Sequence, residues 1–278
     1  HFVRAAKAED VQRGSTEETI AAIVKEAGEY HADILFSVDY FQTLAMSAAK
    51  QRILYYSWLF HLPQWSLFSN QAQLPFNRII SFDMEQVQEL KQNNVNSVQY
   101  LSLPADKELL NRAMSETTPE LMQRFSADVS FVGTLYESAN NVFNKISEQA
   151  KKSDTYQDIL QLIKDKRFSY GKDVLYRGVT DEMVNFLVKE TEPDYEHYYF
   201  AKEEEIVIQS VLARKITVEE RKMMARMLAR KFNFKLFTIS NTDRFPEINN
   251  CGPVDFAKQA PLVYHNSKVN VYVTPRAI

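Results

Sequence analysis

Short apolar runs alternate with amphipathic segments along the first third of the chain. Apolar side chains recur at helical spacing in residues 16–32, 41–51 and 84–93, which predicts three helices. Strands of continuous apolar character, separated by such helices, are typical of a parallel sheet that is covered on both faces. The pattern therefore predicts an α/β fold, with strands at residues 33–39, 52–58, 77–83 and 97–103.

The second half begins in the same way and then changes. The stretch DVSFVG at residues 128–133 predicts a buried strand, but a long, highly charged and helix-prone region follows it, at about residues 138–215. We interpret that region as a helical insertion. The alternation then returns and predicts a second α/β unit, with a helix at residues 217–232 and strands at residues 235–240 and 269–274.

The helix at residues 217–232 carries two further signals. Thr217 and Glu220 match the capping-box pattern that marks the start of a helix. An apolar stripe on this helix is expected to face the core, and it consists of Met223, Met224, Met227 and Leu228.

Two polar residues at strand ends are candidates for chemistry, because ligands of open α/β sheets bind beyond the carboxyl ends of the strands. His61 follows the strand that ends near Trp58, and its imidazole could act as a general base for an acceptor hydroxyl; a structural histidine beside Trp58 and Trp65 is the alternative. Asp39 could perform the same task or orient the acceptor, and it could equally cap the next helix. Trp58 is a candidate for stacking on a sugar ring, and packing is the alternative.

Gly133 stands at the point where the strand of DVSFVG ends, although the chain has only six glycines. Backbone amides and hydroxyl groups at Gly133, Thr134 and Tyr136 could bind a phosphate there. A tight turn that needs a glycine explains the same pattern. The residues alone leave both interpretations open.

Composition narrows the functional classes. A net charge of −3 argues against a nucleic-acid-binding protein, and no apolar run is long enough to span a membrane. One cysteine and an N-terminus without the features of a signal peptide predict a cytoplasmic location. The chain lacks the GxGxxG, P-loop, HExxH, GxSxG and DxD motifs, and its five histidines show no zinc spacing.

Four segments together resemble the bacterial CgeB-like (spore-maturation-type) glycosyltransferase family, which has the GT-B fold. DVSFVGTLY is the most specific part of the resemblance, which covers nearly all of the chain outside the helical insertion. The four segments are SWLFHLP (57–63), NRIISFDMEQVQELKQNNVNSVQYLSLPAD (77–106), DVSFVGTLYESAN (128–140) and NSKVNVYVTPRAI (266–278).

The resemblance implies two Rossmann-like domains facing across a cleft. Residues 1–125 would form the acceptor-side domain and residues 126–278 the nucleotide-sugar-binding domain, which contains the insertion. The reaction would transfer a sugar to an acceptor hydroxyl without a metal or other cofactor, because helix N-termini and basic side chains offset the charge of the leaving diphosphate. The resemblance implies donor contacts from Gly133, Thr134, Tyr136, Ser240, Gly252, Val254 and Arg276.

The sequence also departs from the family in two places. His61 stands where the family pattern W-x-x-D-x-P has an Asp, and the usual continuation after NVYVTPRAI is absent, so we expect the chain to be part of a larger protein. These departures favour an alternative function, a catalytically silent binding or scaffold protein whose helical insertion docks a protein partner. Another two-domain enzyme with a nucleotide or phosphate ligand, such as a sugar epimerase, is a third hypothesis.

Overall fold

Two compact units make up the protein, and each is built on parallel strands flanked by helices. The predicted α/β class is therefore confirmed, whereas the predicted division at residues 125 and 126 stays a prediction. The units are His1–Pro104 with Tyr195–Glu203, and Ala105–Asp194 with Glu204–Ile278. The computed structural model describes residues 16–137, 141–170, 174–192 and 200–275.

The strands described in the first unit pair in chain order, and every neighbouring pair is parallel. Each lies inside one of the predicted apolar runs, so these four strand predictions are confirmed. Because the strands are parallel, their carboxyl ends and the residues that follow them lie at the same edge of the sheet. The strands are β1 (Ile34–Val38), β2 (Leu54–Trp58), β3 (Asn77–Ser81) and β4 (Val98–Tyr100).

One face of this sheet is covered by helices. Tyr55 and Ile79 point to that face and are fully buried, in a core that also contains Leu90 and other residues of the covering helices. On the opposite face, Ile34, Phe36 and Val38 of the edge strand β1 are each more than half exposed. The expectation of cover on both faces is therefore wrong for β1. The α-helices in the described part of this unit are α1 (Thr16–Glu29), α2 (Gln42–Gln51) and α3 (Met84–Gln92).

The named elements described within residues 138–215 are helical, as the sequence predicts. Ser153 and Thr180 cap two of them with their side-chain oxygens, and Ile159, Leu187 and Val211 contribute to a separate apolar core. These elements are the 3₁₀ turns Val142–Lys145 and Ala150–Lys152, the π-helical segment Ile208–Ala213 and several α-helices. Among the described residues after Pro104, the α-helices are α4 (Lys107–Ser115), α5 (Pro119–Phe125), α6 (Asp154–Lys166), α7 (Asp181–Thr191), α8 (Glu203–Val207), α9 (Arg214–Ala229) and α10 (Ala260–Asn266).

Helix α9 starts earlier than the sequence suggests. A π-helical segment, Ile208–Ala213, runs directly into it, so Thr217 lies inside the helix and donates its hydroxyl proton to the Ala213 carbonyl (2.9 Å). The predicted capping box of Thr217 and Glu220 is therefore wrong. Of the apolar stripe, Met224 is buried as expected, but Met223 and Met227 are 37% and 51% exposed.

Helices cover both faces of the sheet in the second unit. Phe131 and Leu236 pack against Met224 and Ala225 of α9 on one face. Phe237 packs on the other face, with residues of α5 and α10. The strands are parallel in the order β6–β5–β7, with β5 at Ala127–Val132, β6 at Phe234–Phe237 and β7 at Ser267–Asn270.

The last strand ends four residues before its predicted end, since residues 271–274 belong to no strand. The described helices include none that is both long enough and apolar enough to cross a membrane.

Candidate active site

The first candidate residue, Asp39, stands directly after β1 in a left-handed backbone conformation. Its φ is +63°, a region that asparagine and aspartate enter more readily than other residues with a side chain. Its amide donates to the Trp58 carbonyl (2.8 Å), so the pairing with β2 continues one residue beyond the strand. The left-handed turn ends β1 at the edge where the parallel strands have their carboxyl ends.

The Asp39 carboxylate connects this edge to the segment that follows β2. Its Oδ1 accepts hydrogen bonds from the amides of Phe60 (2.8 Å) and His61 (2.9 Å), and its Oδ2 lies 2.6 Å from His61 Nδ1. The Asp39 side chain is 16% exposed, and the His61 side chain is 73% exposed. The carboxylate is therefore held by the backbone and in turn holds an imidazole that stays open to solvent.

This arrangement resolves one alternative for Asp39. The residue that precedes α2 at its N-cap is Phe41, and α2 has no side-chain cap. Asp39 is thus not the cap of that helix. By contrast Asp83, the second residue after β3, does cap α3, because its carboxylate accepts from the amides of Glu85 and Gln86.

Hydroxyl groups beneath Asp39 fix its backbone. Ser37 donates to the Asp39 carbonyl (2.5 Å), so its own oxygen accepts from the Tyr55 phenol, 2.7 Å away. The Phe41 amide donates to that same phenol oxygen (3.0 Å). Burial raises the pKa of Tyr55, which keeps the phenol protonated and able to donate. The chain of hydrogen bonds therefore holds the turn at Asp39 in one geometry.

Trp58 and Phe60 provide apolar surface near the pair. Phe60 is exposed and meets the His61 ring edge-on, with ring centroids 5.2 Å apart and an interplanar angle of 80°. Trp58 is half-buried at the end of β2, and its indole Nε1 is buried without a hydrogen-bond partner among the described residues. Trp65, by contrast, packs against Phe68 and the core of the unit.

The Asp39–His61 pair has the chemical properties of a general base. A carboxylate that accepts the Nδ1 proton fixes the tautomer of a neutral imidazole and leaves Nε2 with a lone pair. The same carboxylate stabilises the imidazolium that forms when Nε2 takes a proton. Within the described ranges, no group of three His, Cys, Asp or Glu side chains is placed to hold a metal ion.

In the second unit, the predicted donor loop lies at the carboxyl end of β5, and part of it is bonded internally. Gly133 has a φ of +149°, which only glycine adopts without strain, and its amide donates to the Phe237 carbonyl (3.0 Å). The Leu135 amide donates to the Ser240 hydroxyl (2.9 Å), and Ser240 is buried. Among the described residues, the amides of Thr134 and Tyr136 have no hydrogen-bond partner.

Arg221 holds this loop in place, and it was not among the residues predicted from the sequence. Its guanidinium is buried, and it donates to the carbonyls of Thr134 (2.6 Å) and Val273 (3.1 Å and 2.5 Å). The same group lies 4.3 Å from the centre of the Tyr136 ring. Arg221 precedes the buried Met224 by three residues on α9, so helical spacing alone could have placed it on the inward face.

The remaining donor candidates form a turn beside Ser240. Asn250 donates its side-chain amide to the Ser240 carbonyl (3.1 Å) and accepts from the Gly252 amide (3.0 Å). Gly252 has a φ of +78°, which suits its place in the turn. Val254 packs against the cluster of Phe125 and Phe237.

The structure therefore brings the candidates together in two groups, one in each unit. Arg276 lies outside the described residues. No family model, curated protein or solved structure was found to match the chain, so the resemblance to the CgeB-like family stays a prediction.

We predict that Asp39→Asn changes the tautomer of the His61 ring. The asparagine oxygen can still accept from the two backbone amides, but its NH₂ group cannot accept from Nδ1. The neutral imidazole should therefore carry its proton on Nδ1 in the wild type and on Nε2 in the variant, as measured by ¹⁵N NMR of the labelled histidine. Asp83→Asn, at the end of β3, is the matched control and should leave the His61 signals unchanged. A wild-type ring that is protonated on Nε2 at high pH would contradict the geometry.

A second prediction concerns Arg221. Arg221→Met keeps an apolar stem but leaves the Thr134 and Val273 carbonyls without their donor, so it should lower the free energy of unfolding by about 2–4 kcal/mol. Arg230→Met removes a cation with a side chain that is 61% exposed, and it should cost less than about 1 kcal/mol. Denaturant unfolding followed by circular dichroism measures both. Equal losses in the two variants would show that Arg221 does not hold the loop.

Proposed function

We propose that the protein is a glycosyltransferase that moves a sugar from a nucleotide-sugar to an acceptor hydroxyl. The observation that carries the proposal is the Asp39–His61 pair, in which a largely buried carboxylate orients an exposed imidazole at 2.6 Å. Acceptor hydroxyls need such a base, because they are weak nucleophiles at neutral pH. The exposed ring of Phe60 and the half-buried Trp58 offer apolar surface for the acceptor beside this base.

In the proposed reaction, His61 Nε2 removes the proton of the acceptor hydroxyl while the hydroxyl oxygen attacks the anomeric carbon. The new C–O bond forms as the bond from that carbon to the diphosphate breaks, and the nucleoside diphosphate leaves with the electron pair. Asp39 stabilises the imidazolium during this step and prevents the ring from rotating.

The donor belongs to the second unit in this proposal. The supporting observation is that the Thr134 and Tyr136 amides, at the carboxyl end of β5, have no partner among the described residues. Backbone amides in such loops are common phosphate ligands. Two Rossmann-like domains of the GT-B type, membership of the CgeB-like family, a reaction that needs no metal and a cytoplasmic location are parts of the same proposal.

One observation favours the alternative, a transferase-like protein that binds a partner without catalysis. The Leu135 amide already donates to the Ser240 hydroxyl. The Arg221 guanidinium already donates to backbone carbonyl groups and contacts the Tyr136 ring. Those groups offer little to a diphosphate in the present arrangement. The two functions therefore differ in whether a nucleotide binds at all.

We predict that the full chain binds UDP, GDP or dTDP in isothermal titration calorimetry and hydrolyses or transfers the matching nucleotide-sugar. His61→Gln should lower turnover by about 10²–10⁴-fold, since it removes the general base, and should leave nucleotide affinity unchanged. His31→Gln is the matched control, because His31 is an exposed histidine just after α1, and it should not change turnover.

The two measurements separate the hypotheses. Nucleotide binding with a His61-dependent turnover supports the transferase. A folded protein that binds none of the three nucleotides contradicts it and favours the catalytically silent alternative. Turnover that is identical in the wild type and His61→Gln would remove His61 from the mechanism.

A further inference from the structure

Two adjoining cavities on the second unit carry a strong positive charge. Their volumes are about 460 Å³ and 440 Å³, and Arg167 and Glu219 line both of them. We call this surface the basic groove; it consists of the residues that line the two cavities, on α6, on the outer side of α9 and in the segments beside them. It contains none of the residues of the candidate active site.

The first cavity follows the outer side of α9. Lys222, Arg226 and Arg230 are spaced four residues apart, so they stand on successive turns of the helix. Arg167 and Lys231 add two more cations. The described residues that line this cavity include one acidic side chain, Glu219.

The second cavity extends the same charge toward α6. It adds Lys151, Lys164 and Lys215 to the cations, and its acidic residue is again Glu219. Together, eight cationic side chains line the groove in a protein whose net charge is −3. This concentration of positive charge is therefore a local feature and not a consequence of composition.

Among the described residues, four carboxylates pair with cations of the groove, and only Glu219 of these lines the cavities. Glu247 pairs with Arg226 (2.7 Å) and Arg230 (3.2 Å), and Glu219 pairs with Lys215 (2.8 Å). Lys222 pairs with Glu137 (2.5 Å), and Lys151 pairs with Glu148 (2.6 Å). Burial alone would raise the pKa of Glu219, but the surrounding ammonium groups of Lys215 and Lys222 lower it instead. Lys164 and Lys231, one in each cavity, are exposed and form no ion pair with a described residue.

An apolar row runs beside the cations. Met223 and Met227 lie one turn apart on α9, are substantially exposed, and line the first cavity with Phe245. Methionine side chains adapt to the shapes of partner residues and are frequent on helix-binding surfaces. Along α9, the groove extends from Lys215 to Arg230, which is roughly 22 Å at 1.5 Å per residue. This length matches about four turns of a partner helix.

The aromatic rings of the groove do not suit nucleic acid. Arg226 covers the Phe245 ring at 5.1 Å, and Lys215 covers the Phe143 ring at 5.3 Å. Bases of single-stranded nucleic acid bind by stacking on open aromatic faces, which these two rings do not offer. The net negative charge of the chain also opposes the approach of a long polyanion.

We propose that the basic groove binds an acidic amphipathic helix of a partner protein. The carboxylates of such a helix pair with Lys164, Arg230 and Lys231, which are the exposed cations of the groove. Its apolar side chains contact Met223 and Met227. The groove holds both rows side by side, as helix-in-groove recognition requires. This binding function is independent of the proposed transfer reaction.

Binding is tested with the full chain and a fluorescein-labelled synthetic helix of about 20 residues. The peptide carries glutamates at i and i+4 on one face and leucine and methionine on the adjacent face. We expect a Kd below about 100 µM at low salt. A scrambled peptide of the same composition, with its apolar residues distributed all around the helix, should bind at least about tenfold more weakly.

Two variants of the groove test whether the peptide binds there. Lys164→Glu combined with Lys231→Glu should weaken binding by about tenfold or more, and Met227→Ser by about three- to tenfold. Lys25→Glu combined with Lys50→Glu makes the same change in net charge on exposed sites of α1 and α2, and should change the Kd by less than about twofold. Circular dichroism of each variant establishes that it is folded.

Three results would overturn the proposal. The first is no binding of the peptide to the folded wild type, and the second is equal binding of the ordered and scrambled peptides. The third is an equal loss of binding in the groove variant and the control variant. Tighter binding of an oligouridylate RNA of similar length would assign the groove to nucleic acid instead.

Discussion

The Asp39 carboxylate is the interaction on which the candidate site depends, because it joins two segments that follow different strands. Parallel pairing brings the ends of β1 and β2 to one edge, but it does not fix the loops beyond them. The two backbone amides that bind Oδ1 fix the segment after β2, and the left-handed turn at Asp39 aims the carboxylate at it. The position of His61 is thus determined by backbone contacts before its own side chain takes part.

In the second unit, a positive charge holds the segments that follow the strands. Arg221 is a buried cation that donates to carbonyl groups after β5 and after β7, whereas Asp39 is an anion that accepts from amides. Backbone groups bind both charges: the amides of Phe60 and His61 donate to Asp39, and the carbonyls of Thr134 and Val273 accept from Arg221. The consequence differs between the units. Asp39 leaves an imidazole open to solvent. Arg221 binds the Thr134 carbonyl, whereas the Thr134 and Tyr136 amides have no acceptor within the part of the chain that the structure describes.

The sequence predicted the parts of the fold that follow from local pattern. Apolar runs located β1 to β5 within a few residues, since buried strands of parallel sheets leave an unbroken apolar signal. The start of α9 was predicted wrongly. The π-helical segment before it continues the helix, so no helix N-terminus lies at Thr217 for its side chain to cap. The exposed face of β1 was missed for another reason, since the same apolar residues suit a covered and an uncovered face equally well.

The candidate site was predictable to the level of residue type and strand end, and no further. His61 and Asp39 could be selected separately. Their separation of 2.6 Å depends on the left-handed backbone conformation of Asp39, which the sequence does not predict. Ser240 could not be recognised as a buried partner of Leu135, because that contact spans two strands.

The basic groove could not be predicted from the overall charge of the chain, which is −3. Its cations come from residues 151–167 and 215–231, two segments that are separated by α7 and by a stretch with ten acidic and five basic residues. Counted along the sequence they cancel, and only the packing of α6 against α9 places them on one surface. The exposure of Met223 and Met227 also depends on packing. Their helical spacing indicates an apolar face, but a helix that packs on a sheet through Met224 and Ala225 has to turn Met223 and Met227 elsewhere, and here they meet the cations. An apolar row that is neither core nor isolated, flanked by charges of one sign, is the pattern of a binding surface.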